Sequence, residues 1–155
     1  MGGTGASLRR AAVYGPGVST VGTVSTAERV LIWVLWIHAG LSILFIVLAW
    51  RDGIVEDADL RFVVNTTAKD GLFAVVSVVA ATDARRRLPL TALIIVAYCL
   101  LVVGELFELA LADPGTVHTL PSDTAPTTYL LVWMAGDIVL IALFGFLYRA
   151  VSRAR

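Results

Sequence analysis

The sequence predicts an all-α, polytopic membrane protein: a four-transmembrane-helix, up-down-up-down bundle with both termini cytoplasmic. Three observations carry this expectation. Of 155 residues, 58% are hydrophobic and 15% charged, whereas soluble domains average about 45–50% apolar and about 25% charged. Four apolar stretches, at 30–50, 62–82, 88–112 and 129–148, each reach the roughly 20 residues that a helix needs to cross a bilayer. Arginine is placed on alternate sides of these stretches, as the positive-inside rule requires.

Residues 1–27 are rich in Gly, Ser, Thr and Val, with Arg9 and Arg10. No apolar h-region occurs there, so the segment reads as a flexible cytoplasmic tail rather than a signal peptide. The membrane domain is expected over 28–149. Its first stretch is too long for a cleaved h-region and lacks a small-residue cleavage site, so it should remain as a signal anchor. The first connection sets Arg51 and Arg61 against Asp52, Glu56, Asp57 and Asp59.

After the second stretch comes a tight turn: Asp83, then Arg85, Arg86 and Arg87, then Leu88 and Pro89. Proline suits the first turn of a helix, so helices two and three should form an antiparallel hairpin. The third connection, 113–128, has no Lys or Arg; it contains Pro114, Gly115, Pro121, Pro126 and His118 and reads as an irregular outer loop. Beyond the fourth stretch, Arg149, Arg153 and Arg155 leave a basic cytoplasmic tail at 150–155. Both termini and the arginine turn therefore belong on the cytoplasmic side of an inner (plasma) membrane.

Several classes fall away. The net charge is zero, which argues against nucleic acid as a partner. Phosphate-loop and zinc signatures are absent. Cys99 is the only cysteine, so there is no intrachain disulfide and no cysteine-pair relay; within an apolar helix it reads as an inert buried thiol.

The polar chemistry is confined to a few interruptions of the apolar runs. Lys69 is the only lysine, beside Asp70; Glu105, Glu108, Asp137 and His38 interrupt the other helices. From the helical rise, Lys69, Asp70, Glu105 and Asp137 lie about 10–12 Å below the outer face, Glu108 about 8 Å and His38 about 18 Å. Charges from three helices thus share one level, with the histidine beneath. Glu105 and Glu108 are three apart and share a side of helix three, with Tyr98 on the same stripe. Asn65 and Lys69 share a face, Trp133 and Asp137 another, and His38 goes with Ser42 and Phe45. An interior polar pocket lined by these groups, Tyr98, Trp133 and Phe45 is the expectation.

Four carboxyls against one lysine and one histidine cannot all stay charged in a low-dielectric interior. At least one carboxyl is expected to be protonated at neutral pH, or a cation bound. Lys69 reads either as a structural ion pair reaching Glu105 or Asp137, or as a functional amine. His38 reads either as a buried neutral histidine bonded to a hydroxyl or carbonyl, or as a ligand. Metal ligands are too few, since the Glu-x-x-His signature is missing and a second intramembrane histidine is lacking; no metal or cofactor is expected. Gly71, Ala74, Ser77 and Ala81, with Gly136 and Gly145, read as close-packing positions. Trp33, Trp36, Trp50, Tyr129 and Tyr148 read as interfacial or lipid-facing.

Two function classes follow. The first is a small membrane enzyme performing acid–base chemistry, such as isomerisation, cyclisation or epoxide opening, on a lipid- or terpenoid-like molecule. Glu105, Asp137, Lys69 and Asp70 would be catalytic; His38, Tyr98, Glu108, Trp133, Asn65 and Phe45 would line the substrate. The second is non-enzymatic: a proton- or cation-coupled carrier, or an accessory subunit. The expected partners are the lipid bilayer and a lipophilic small molecule, with a homodimer or larger membrane complex as the assembly.

Overall fold

The structure, a computed structural model, describes residues 24–55, 60–111 and 126–154. It is all-helical: α1 (Thr26–Val55), α2 (Leu60–Thr82), α3 (Leu88–Leu111) and α4 (Pro126–Arg153). Each covers one apolar stretch, and all four are long and apolar enough to cross a membrane. The N-terminal tail, the acidic part of the first connection and the third connection with His118 lie outside the described residues.

Helix ends are set by caps rather than by hydropathy, and α1 and α4 outrun their apolar stretches. Ser25 starts α1, its Oγ accepting the amide of Glu28 at 3.2 Å; this is the N-cap geometry that satisfies an otherwise orphaned donor. With 30 residues, α1 is about 45 Å long, more than the roughly 30 Å of hydrocarbon it would cross. At the far end of α2, the Arg87 guanidinium donates to the carbonyl of Val79 and to Thr82 Oγ1, both at 2.9 Å. It thereby helps cap the Val79 carbonyl, one of the last-turn acceptors the helix leaves open, which also accepts the Thr82 hydroxyl at 2.8 Å. The turn at 83–87 closes on Asp83, whose carboxylate accepts the amide of Arg86 at 3.1 Å and forms an ion pair with its guanidinium at 3.6 Å. Pro89 stands in the first turn of α3, where its missing N–H leaves nothing unpaired.

The helices form a four-helix bundle. α1 packs most closely on α2 and α3 on α4; the two pairs meet more loosely along α1–α4 and α2–α3. Small residues allow the close α1–α2 approach: Ala39, Ala49, Ala74, Ser77, Ala80 and Ala81 are buried, and a Cβ at Gly71 would stand 4.0 Å from Ile46. Gly136 and Gly145 differ from expectation. Nothing lies within 4 Å of a Cβ built at either, because Gly136 faces outward and Gly145 fronts open space. Cys99 is also exposed rather than buried; the next helix position after inward-pointing Tyr98 is turned about 100° away. Trp33, Trp36 and Trp50 are exposed as expected.

The dry core lies towards the arginine turn: Leu31, Leu35, Ala80, Ala84, Leu88, Ile94, Phe144, Leu147 and Val151 interlock there. Thr91 is enclosed within it, fully buried, and its hydroxyl finds no hydrogen-bond partner among the described residues. An unmade buried hydrogen bond costs about 1–3 kcal/mol. Thr91→Val keeps the shape and deletes the hydroxyl, so it is expected to raise the thermal midpoint. A lowered midpoint would mean that the hydroxyl is bonded in the folded protein.

Candidate functional site

The half of the bundle away from the arginine turn is not solid. A cavity of about 250 Å³ opens there between the helices. α1 contributes Val34, Ile37, His38, Leu41, Ser42 and Phe45; α2 contributes Lys69, Asp70 and Phe73; α3 contributes Tyr98 and Leu101. Trp133, Asp137, Leu140 and Leu143 complete it from α4. The exposed members of this wall, Ile37, Leu41, Phe45 and Leu143, are all on α1 and α4. The cavity therefore opens sideways between those two loosely packed helices. Phe45 and Trp133 touch across that gap, with ring centroids 5.5 Å apart.

His38 forms the floor. One ring nitrogen, Nδ1, lies 2.8 Å from Ser77 Oγ, and Nε2 lies 2.6 Å from the Tyr98 hydroxyl. A neutral imidazole donates through one nitrogen and accepts through the other, and hydroxyls can fill either role. Both imidazole nitrogens are thus satisfied by hydroxyls from α2 and α3. Phe73, Tyr98 and Phe144 meet the ring edge-on at 5.2–5.7 Å, and Phe73 stacks on Tyr98 at 4.7 Å. Of the two readings of His38, the hydroxyl-bonded one describes this geometry.

The charged groups stand on the wall above. Lys69 places its Nζ 5.9 Å from the centroid of the Trp133 ring, a cation–π distance. Among the described residues no carboxylate comes within 4.0 Å of that nitrogen. The expected ion pair to Glu105 or Asp137 is therefore not made: Trp133, one turn before Asp137, takes the ammonium instead. Asp70 and Asp137 are each only 7% exposed, and both lie within electrostatic reach of Lys69. Among the described residues, neither accepts a hydrogen bond or forms an ion pair. Asp137 also senses the charge of Asp70, and Tyr98 senses both, so these groups form one electrostatic unit.

No protein-family model, curated protein or solved structure matches this chain.

Seven of the ten residues anticipated from sequence line this cavity: His38, Phe45, Lys69, Asp70, Tyr98, Trp133 and Asp137. Two do not: Glu105 is buried on α3 but off the cavity wall, and Asn65 is exposed on α2. The side chain of Glu108 lies outside the described residues. Among the described residues no three His, Cys, Asp or Glu side chains converge as metal ligands would. Sequence reasoning missed Ser77 as a bonding partner, since a serine among alanines reads as packing. It also missed Phe73 and Phe144, which no polar signal marks.

Proposed function

We propose that this chain is a small integral-membrane enzyme carrying out acid–base chemistry on a lipophilic molecule. The observation that carries the reading is the pairing of Asp70 and Asp137, without close partners among the described residues, on the wall of an otherwise apolar cavity. With one lysine for two aspartates, the site is neutral when one carboxyl holds a proton. That carboxylic acid then delivers its proton to an epoxide oxygen or alkene carbon, and the other carboxylate takes one from the neighbouring carbon or from an attacking water. For an epoxide, the C–O bond breaks as the O–H bond forms, and the electron pair stays on oxygen. A neutral acid beside a carboxylate is a recurring solution for such proton transfers. Glu105, off the wall, has no part in this scheme.

The chain crosses the membrane four times, up-down-up-down, with its termini and arginine turn cytoplasmic. Contacts at His38–Ser77 and Trp50–Thr67 support the antiparallel pairing of α1 and α2, and arginine placement supports the orientation. A proton- or cation-coupled carrier is disfavoured by the tight packing of Leu31, Leu35, Leu88, Ile94 and Phe144 beneath His38, which leaves no polar path onward among the described residues. An accessory subunit would turn its charges towards a neighbour, whereas Asp70 and Asp137 are turned inward.

The test is product formation. Purified protein in lipid nanodiscs is incubated with total membrane lipid and with isoprenoid alkenes and epoxides, followed by mass spectrometry. A product made by the wild type and not by the Asp70→Asn/Asp137→Asn double variant is expected. Equal product from both, or none from either, rejects the reading.

A further inference from the structure

The charge on the cavity wall has a sign, and the sign selects a ligand. Asp70 and Asp137 bring two negative charges and Lys69 one positive, while His38 is held between two hydroxyls. The ionised site is one positive charge short. An uncompensated charge so deeply buried is costly, so the site takes up a proton or a cation. An inorganic cation is poorly served: calcium and magnesium require six or more oxygen ligands, and here two carboxylates face a wall of leucine, valine, isoleucine and aromatic side chains.

An organic cation is well served. Phe45, Phe73, Tyr98 and Trp133 all present rings to the cavity, and aromatic faces recognise substituted ammonium groups. The Trp133 ring already holds one ammonium, that of Lys69. Size and access agree. A cavity of about 150 Å³ suffices for benzene, so about 250 Å³ admits a substituted ammonium head or one ring, not a whole lipid. The remainder of a longer molecule extends through the α1–α4 opening.

We propose that this cavity binds a lipophilic monocation, an alkyl- or aryl-substituted ammonium, its charge beside Asp70 and Asp137 and its apolar chain between α1 and α4. The proposal rests on the same cavity as the enzymatic reading. It narrows that reading to reactions that build positive charge on the substrate, for which a stable ammonium is a mimic.

Equilibrium binding of radiolabelled octyltrimethylammonium to protein-bearing nanodiscs, corrected with empty nanodiscs, is the test. Saturable binding is expected, with the neutral isostere 2,2-dimethyldecane and the anion decanoate each competing at least about tenfold less well. Asp137→Asn is expected to weaken binding about tenfold. Lys69→Met, which removes the resident cation and frees the Trp133 face, is expected to tighten it. A gain of affinity cannot arise from misfolding, so the second variant guards the first. Equal competition by the neutral isostere, wild-type affinity in both variants, or no saturable binding would overturn the proposal. Turnover is scored separately. Product without cation binding leaves the enzymatic reading standing alone, and cation binding without product leaves this one.

Discussion

Asp137→Asn is expected to lower turnover by about 10²–10⁴-fold, the usual contribution of a positioned acid or base. The amide matches the carboxyl in shape but can neither deliver nor accept the reacting proton. The fall should appear in kcat, because the apolar walls that hold a substrate are untouched. Asp70→Asn should behave similarly, and the double variant should be no worse than the weaker single one, since groups acting as a unit are not additive. Asp137 makes no hydrogen bond or ion pair among the described residues, so its replacement should not lower the thermal midpoint. Rates compared at equal folded protein decide the matter: an Asp137→Asn enzyme at wild-type kcat would remove this residue from the chemistry.

His38→Ala is expected to destabilise the protein by about 2–4 kcal/mol, through two hydroxyls stripped of their partner and a void left by the ring. His38 joins three helices: it bonds Ser77 of α2 and Tyr98 of α3 and meets Phe144 of α4 edge-on. Removing one partner strands the others, whereas replacing all by apolar groups strands none. The triple variant His38→Leu/Ser77→Ala/Tyr98→Phe should therefore recover most of the loss. Unfolding midpoints in one detergent test both statements. A triple variant no better than His38→Ala would mean that packing, not hydrogen bonding, gives the histidine its structural weight.

What was legible in the sequence follows from which physical quantities a sequence encodes. Depth is one: each residue advances the helix by a fixed rise, so the shared level of Lys69, Asp70 and Asp137 could be read directly. Rotation about the helix axis is another matter. A helix apolar all round has no stripe to say which side faces inward. Glu105, placed at that level by the same rise, is buried but lies off the cavity wall. Tyr98, seven residues earlier on the same stripe, lines it. Neighbour order was equally hidden, so Trp133, rather than a carboxylate, as the group that meets the Lys69 ammonium could not be foreseen. Helix ends depended on Ser25 and Arg87, polar groups outside the apolar windows.

The sideways opening between α1 and α4 changes what concentration means for this protein. A ligand entering there is dissolved in acyl chains, so occupancy follows its mole fraction in the membrane rather than its amount per litre. Doubling the lipid at constant ligand and protein dilutes the ligand twofold, although the aqueous volume is unchanged. Affinities and KM values for this site belong on a surface-dilution scale, and those measured at different lipid-to-protein ratios become comparable only there.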